Sequence, residues 1–168
     1  KIKLLNKIKI ERGWKWMYAD FIHQELIFFN SKFTTKEQFF EEATKKLKML
    51  EYVEDSFESA IMTREMSFPT GLELGHINIA IPHTDPQHVK KPFVAAYQLN
   101  NPIEFVQMAT TDSLVPCELI LILGITDPKN QVGLLSTIME IFGNDEKVSE
   151  YRKVKSPKEL YHFLQQNL

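Results

Sequence analysis

Three of the five histidines, His76, His83 and His88, lie close together in the chain. His83 directly follows Pro82, which closes the run Ile77-Asn78-Ile79-Ala80-Ile81. Proline fixes its own backbone and lacks a donor, so the next side chain gets a stiff mount. Thr84 and Asp85 come next, a hydroxyl and a carboxylate able to hydrogen-bond the ring or a ligand. A histidine held this way suits three kinds of chemistry: nucleophile, general base or metal ligand. Taken singly, each histidine reads as structural or surface. Spacings of seven and five between His76, His83 and His88 match no zinc motif, so no metal site is expected. The chain has no Gly-x-Ser-x-Gly elbow and no Gly-x-x-x-x-Gly-Lys-[Ser/Thr] loop, which argues against a serine hydrolase and a nucleotide-driven kinase. Cys117, after Pro116, reads as a small core residue rather than a nucleophile.

The run 77–81 alternates and is rich in β-branched residues, so it predicts a strand with His83 at its end, where ligands sit in α/β folds. Glu118 to Gly124 is the strongest strand pattern, and its unbroken Leu-Ile-Leu-Ile-Leu implies burial on both faces. Residues 25–29 and 93–99 predict two more strands, and 103–108 a weaker one. Thr34 with Glu37 gives a capping-box start to a helix over 35–52, with Phe40, Ala43, Leu47 and Leu50 inward. Ser56 starts a second helix, running to about Glu65, with Phe57, Ile61 and Met62 inward. Residues 67–75 read as loop, carrying Pro69, Gly71 and Gly75. Asp127-Pro128 opens a helix whose apolar face is Val132, Leu135, Ile138, Met139 and Phe142. Ser156-Pro157 opens a last helix, burying Leu160, Phe163 and Leu164. Alternating strands and helices predict an α/β class: a mixed sheet flanked by helices, an α/β/α sandwich in a single domain.

At 168 residues the chain has about one domain's length. A net charge of −2 gives no sign of a nucleic-acid partner. The single cysteine excludes an internal disulfide and fits a reducing compartment. No apolar run is long enough to cross a membrane. Residues 1–16 differ from the rest, with six cations against Glu11. An amphipathic membrane-surface segment or a linker would fit them. We read them as an extension or linker ahead of Met17, with the domain over 17–168.

The segment Arg64-Glu65, Phe68-Pro69-Thr70-Gly71-Leu72 and Ile79-Ala80-Ile81-Pro82-His83-Thr84-Asp85 resembles the active-site region of the IIA component of the sugar phosphotransferase system, mannitol/fructose type. Its wording is most similar to the galactitol branch. The resemblance covers residues 20–168 and implies a cytoplasmic phosphohistidine carrier with no cofactor, in an α/β sandwich. It implies that His83 takes a phosphoryl group from HPr on Nε2, leaving Nδ1–H for an acceptor, and passes it to a IIB component that serves a membrane IIC permease. It implies that Arg64 neutralises the phosphoryl group. Where the family often has a second histidine, this chain has Asn130, in the first turn of a predicted helix. There its amide, the free N–H groups and the helix dipole would favour an anion. Thr84 is expected to hold the His83 turn, and His76, His88 and Asp85 to surround the site rather than react. The loop around Phe68 is a candidate contact for partners that dock briefly.

Two other functions fit the same residues. One is a IIA-like regulatory domain of a sugar-responsive transcriptional regulator. The other is a sugar- or metal-binding module without transfer chemistry.

Overall fold

The structure, a computed structural model, describes residues 17–168, so the basic stretch 1–16 lies outside the described residues. Among the described residues, five strands and five α-helices follow in chain order: β1 (Ile22–Ser31), α1 (Lys36–Met49), α2 (Phe57–Ser67), β2 (Gly71–Glu73), β3 (Asn78–Ala80), β4 (Phe93–Val106), β5 (Leu114–Gly124), α3 (Lys129–Phe142), α4 (Asp145–Arg152) and α5 (Pro157–Asn167). The strands form one mixed sheet in the order β1-β4-β5-β3-β2. β1 runs parallel to β4 and β3 parallel to β5, while β4–β5 and β2–β3 are antiparallel.

The apolar run of β5 dictates the layers. Leu119, Leu121 and Leu123 pack with residues of α3, α4 and α5, whereas Cys117, Ile120 and Ile122 pack with residues of α1 and α2. A strand buried on both faces requires cover on both. The result is the α/β/α sandwich that the sequence predicts.

Several boundaries differ from expectation, each for a local reason. The first helix starts one residue later, with Thr35 as its cap, accepting from the Gln38 N–H at 3.1 Å. Gln38 in turn accepts from the Thr34 N–H and hydroxyl, so the return bond of the capping motif falls on Thr34, one residue ahead of the cap. Ser56 does not cap α2; its hydroxyl meets His88 instead. The expected loop 67–75 contains β2, because Gly71 lets the chain lie against the Val106 backbone. The strands expected at 93–99 and 103–108 are one strand, β4, with a register shift between Gln98 and Ile103. Val132 faces solvent rather than the core, while Leu134 and Ile141 are buried.

β3 is three residues long, yet the chain beyond it stays on β5. The Leu123 N–H donates to the Pro82 carbonyl at 3.0 Å, and His83 bridges Leu123. The proline lacks a donor, but the group used here is its carbonyl. His83 is thereby fixed at the C-terminal end of two parallel strands.

Gly124 closes β5, and a Cβ there would overlap the buried ring of Phe93, which packs edge-on to Tyr52 at 5.6 Å. Gly124→Ala should therefore lower the unfolding free energy by about 1–3 kcal/mol, the range for an over-packed core. Urea denaturation should show an earlier midpoint with an unchanged slope. A midpoint equal to that of the wild type would contradict this account of the Phe93 packing.

Candidate functional site

The His83 ring is buried, 6% exposed, and its Nδ1 lies 2.8 Å from the Ile81 carbonyl oxygen. A carbonyl oxygen only accepts, so Nδ1 carries the proton and donates it. In the neutral ring Nε2 then holds the lone pair. Burial pushes the ring's pKa below the ordinary histidine value. The Ile81 bond opposes that shift, the Arg64 charge adds to it, and Asp85 works against it. The net effect favours a neutral imidazole at physiological pH.

Arg64 comes from the last turn of α2. There the unpaired carbonyls of the helix end favour a cation. Its Nη1 lies 3.5 Å from Asp85 Oδ1, and its guanidinium stacks 5.0 Å from the centre of the Phe68 ring. The Phe68 N–H closes the helix on the Arg64 carbonyl at 2.7 Å, leaving the ring 64% exposed. The Asp85 carboxylate is largely in solvent, so this pair orients the arginine more than it stabilises the fold. Arg64 Nε is buried and has no hydrogen-bond partner among the described residues.

Glu65, the next residue, points inward on the face of α2 that also carries Phe57 and Ile61. Its carboxylate accepts from the Thr70 N–H at 2.9 Å and from the Thr70 hydroxyl at 2.7 Å. Burial raises its pKa to about 7, outweighing both Thr70 bonds. Glu65 belongs to the Arg64-Glu65 motif, in which the sequence alone assigns a role only to the arginine. The available signal was its position: after Phe57 and Ile61, a step of four lands on Glu65, a carboxylate on an apolar helix face.

The structure gathers Arg64, Thr84, Asp85 and His88 around one open groove, with Ser56 and Phe68 on its walls. His88 Nδ1 lies 2.7 Å from the Ser56 hydroxyl. Thr84 is buried, but the turn after His83 is held by backbone bonds, His88 N–H to the Asp85 carbonyl and Val89 N–H to the Pro86 carbonyl. His76 does not join the group. It lies before β3, at the far end from His83, with Nε2 3.3 Å from Asp145. Asn130 lies in the first turn of α3, reached from the same end of β5. It does not line the groove. The N–H groups expected to be free there are taken: Lys129 by the Asp127 carboxylate, Asn130 by the Asp127 carbonyl and Gln131 by the Pro128 carbonyl. Cys117 is buried, its thiol pushed up to about 12 by burial, as a core residue should be.

Comparison with known proteins adds the family context. Residues 20–167 match the family model for the phosphoenolpyruvate-dependent sugar phosphotransferase system, EIIA 2. The galactitol-specific EIIA component of the phosphotransferase system from Escherichia coli K12 is 35% identical over 83 residues, which are 49% of this chain and 55% of that protein. The chain thus spans about half the length of the curated relatives it matches. Among solved structures, the nitrogen regulatory protein IIA-Ntr from Neisseria meningitidis superposes with a TM-score of 0.70 at 24% identity, over 88% of this chain and 99% of that one. A chain of the complex of enzyme IIAMTL and phosphorylated enzyme IIBMTL from Escherichia coli gives 0.65 at 22% identity, over 83% and 94%. At these identities the two structures bear on the fold alone.

The two buried acid–base groups set opposite pH dependences. Glu65 has a folded pKa above its unfolded value, so its contribution to stability is full below about 4.5 and is lost as pH rises through about 7. His83 has a folded pKa below 6.5, so its contribution is present above that pH and is lost as pH falls. Glu65→Gln removes the first effect alone. Between about pH 5 and 8, the wild type should lose roughly 2–3 kcal/mol relative to Glu65→Gln in urea denaturation. A difference between the two proteins that does not change with pH would contradict the burial of an ionisable Glu65.

Proposed function

The chain belongs to the EIIA 2 family of the phosphoenolpyruvate-dependent sugar phosphotransferase system, and from that premise we propose that it is a phosphohistidine carrier acting through Nε2 of His83. The observation that carries this reading is the bond from His83 Nδ1–H to the Ile81 carbonyl, which leaves the other nitrogen with the lone pair. That lone pair attacks the phosphorus of a phosphohistidine on HPr. The new N–P bond forms as the donor's N–P bond breaks, and the donor imidazole keeps the electron pair. The same exchange, run onto a IIB component, empties His83 again. The sugar then follows through a membrane IIC permease, and the galactitol-specific relatives support a polyol as that sugar. No helix among the described residues is long and apolar enough to cross a membrane.

Transfer of this kind asks little covalent chemistry of the protein beyond position and charge. Arg64 supplies the charge: a permanent cation whose field reaches the His83 ring, with one buried donor that has no partner among the described residues. An unpaired buried N–H costs free energy, and a phosphoryl oxygen would satisfy it. On arrival of that group the Arg64 guanidinium exchanges Asp85 for a stronger anion. Asn130 has only its side-chain amide to offer, since the backbone donors of its turn are used and the Asp127 carboxylate already occupies the helix end.

Incubation with phosphoenolpyruvate, enzyme I and HPr, followed by intact mass measurement, tests the reading. The wild type should gain one acid-labile phosphoryl group and His83→Ala none. Arg64→Ala should take up the group roughly 10²-fold more slowly, as when one preorganised charge-stabilising donor is removed. An unlabelled wild type, beside a control IIA protein labelled in the same mixture, would overturn the carrier role. Uptake without onward transfer to any IIB component would favour a regulatory domain.

A further inference from the structure

Glu65 calls for an explanation beyond packing. The residue is 4% exposed, on a helix face otherwise occupied by Phe57 and Ile61. An apolar side chain there would avoid the cost of taking a carboxylate out of water. What the carboxylate does is hold Thr70 twice, by the backbone N–H and by the hydroxyl. Thr70 is itself buried, immediately ahead of β2.

The chain of contacts continues toward the reactive ring. The Thr70 carbonyl accepts from the Ile81 N–H at 3.3 Å, extending the β2–β3 ladder past the Gly71–Ala80 pair. The Ile81 carbonyl in turn accepts from His83 Nδ1–H at 2.8 Å. Ile81 is thus tethered on both sides, to Thr70 by its N–H and to the imidazole by its carbonyl. The Ile81 N–H and carbonyl belong to different peptide groups, so what passes along the chain is position rather than charge. The carboxylate also anchors the end of α2, and its chain neighbour is Arg64.

We propose that Glu65 is a positioning residue, which through Thr70 and Ile81 holds the carbonyl that selects the Nδ1–H form of His83. The proposal rests on the carrier reading only for its link to transfer rate. The selection of one ring form is a property of the unphosphorylated protein.

The test is 15N NMR of histidine-labelled, unphosphorylated protein, which reads the protonated ring nitrogen directly, paired with phosphoryl uptake from HPr. The wild type should show His83 in the Nδ1–H form. Glu65→Ala should show a mixture of both ring forms and uptake slowed by roughly tenfold or more, the scale of effect expected from a small misplacement of a reacting group. Glu65→Gln, which still offers an oxygen to the Thr70 N–H and an N–H to its hydroxyl, should restore most of what Glu65→Ala loses. Thr70→Val removes only the hydroxyl contact and should give an intermediate mixture; it decides the matter if Glu65→Ala does not fold. A folded Glu65→Ala, or a Thr70→Val, with His83 still wholly in the Nδ1–H form would overturn the proposal. If the wild type takes up no phosphoryl group, the carrier reading falls, and the NMR comparison still decides the role of Glu65.

Discussion

An imidazole that is to react through one nitrogen must have the proton of the other accounted for, and here a single backbone carbonyl does so. The bond from His83 Nδ1–H to Ile81 works only if Ile81 is immobile. Ile81 is held in place by bonds on either side of it, to Thr70 toward β2 and through Pro82 to Leu123 toward β5. β5 in turn is held by side chains on both of its faces, which reach helices of both outer layers. The architecture is therefore a set of supports for one carbonyl oxygen, and loss of any layer would loosen the ring.

The parts legible in the sequence were those with strong periodicity. The Leu-Ile-Leu-Ile-Leu of β5 announced a strand buried on both faces, and two helical layers followed from it. The stiff seat of His83 behind Pro82 was legible for the same kind of reason, since proline leaves the backbone little choice. What escaped was set by contacts distant in sequence. β2 is three residues long and sits among Pro69, Gly71 and Gly75, so its local chemistry reads as turn, and only β3 makes it a strand. Ser56 looks like a helix cap, but His88, far along the chain, claims its hydroxyl. Val132 falls at an apolar spacing, yet α3 turns it outward. The strand at 77–81 separates His76 from His88, but spacing does not encode that His88 lines the groove while His76 meets Asp145.

Arg64 is held with less commitment than His83. Its charge is shared between a solvent-facing carboxylate and the face of an exposed phenyl ring, and one of its donors has no partner among the described residues. Neither contact is strong, since an exposed ion pair and a cation–π contact are each worth about 1 kcal/mol or less. A guanidinium so placed is oriented in advance and still cheap to redirect. Glu65 is the opposite case: buried, doubly bonded and costly to ionise. Adjacent residues on α2 thus differ in their hold: Arg64 by two weak contacts at the surface, Glu65 by two hydrogen bonds in the interior.

The parallel pairing of β3 with β5 has a consequence for synthesis. His83 and the Ile81 carbonyl emerge from the ribosome together, but the strand that seats them, Leu119 to Leu123, comes some forty residues later. Closing that loop costs chain entropy before any contact rewards it, as parallel pairings do. A nascent chain that already displays the histidine has no sheet to hold it. The His83 ring thus acquires its orientation only after the last central strand has been made, so an incomplete polypeptide carries the proposed nucleophile without its aim.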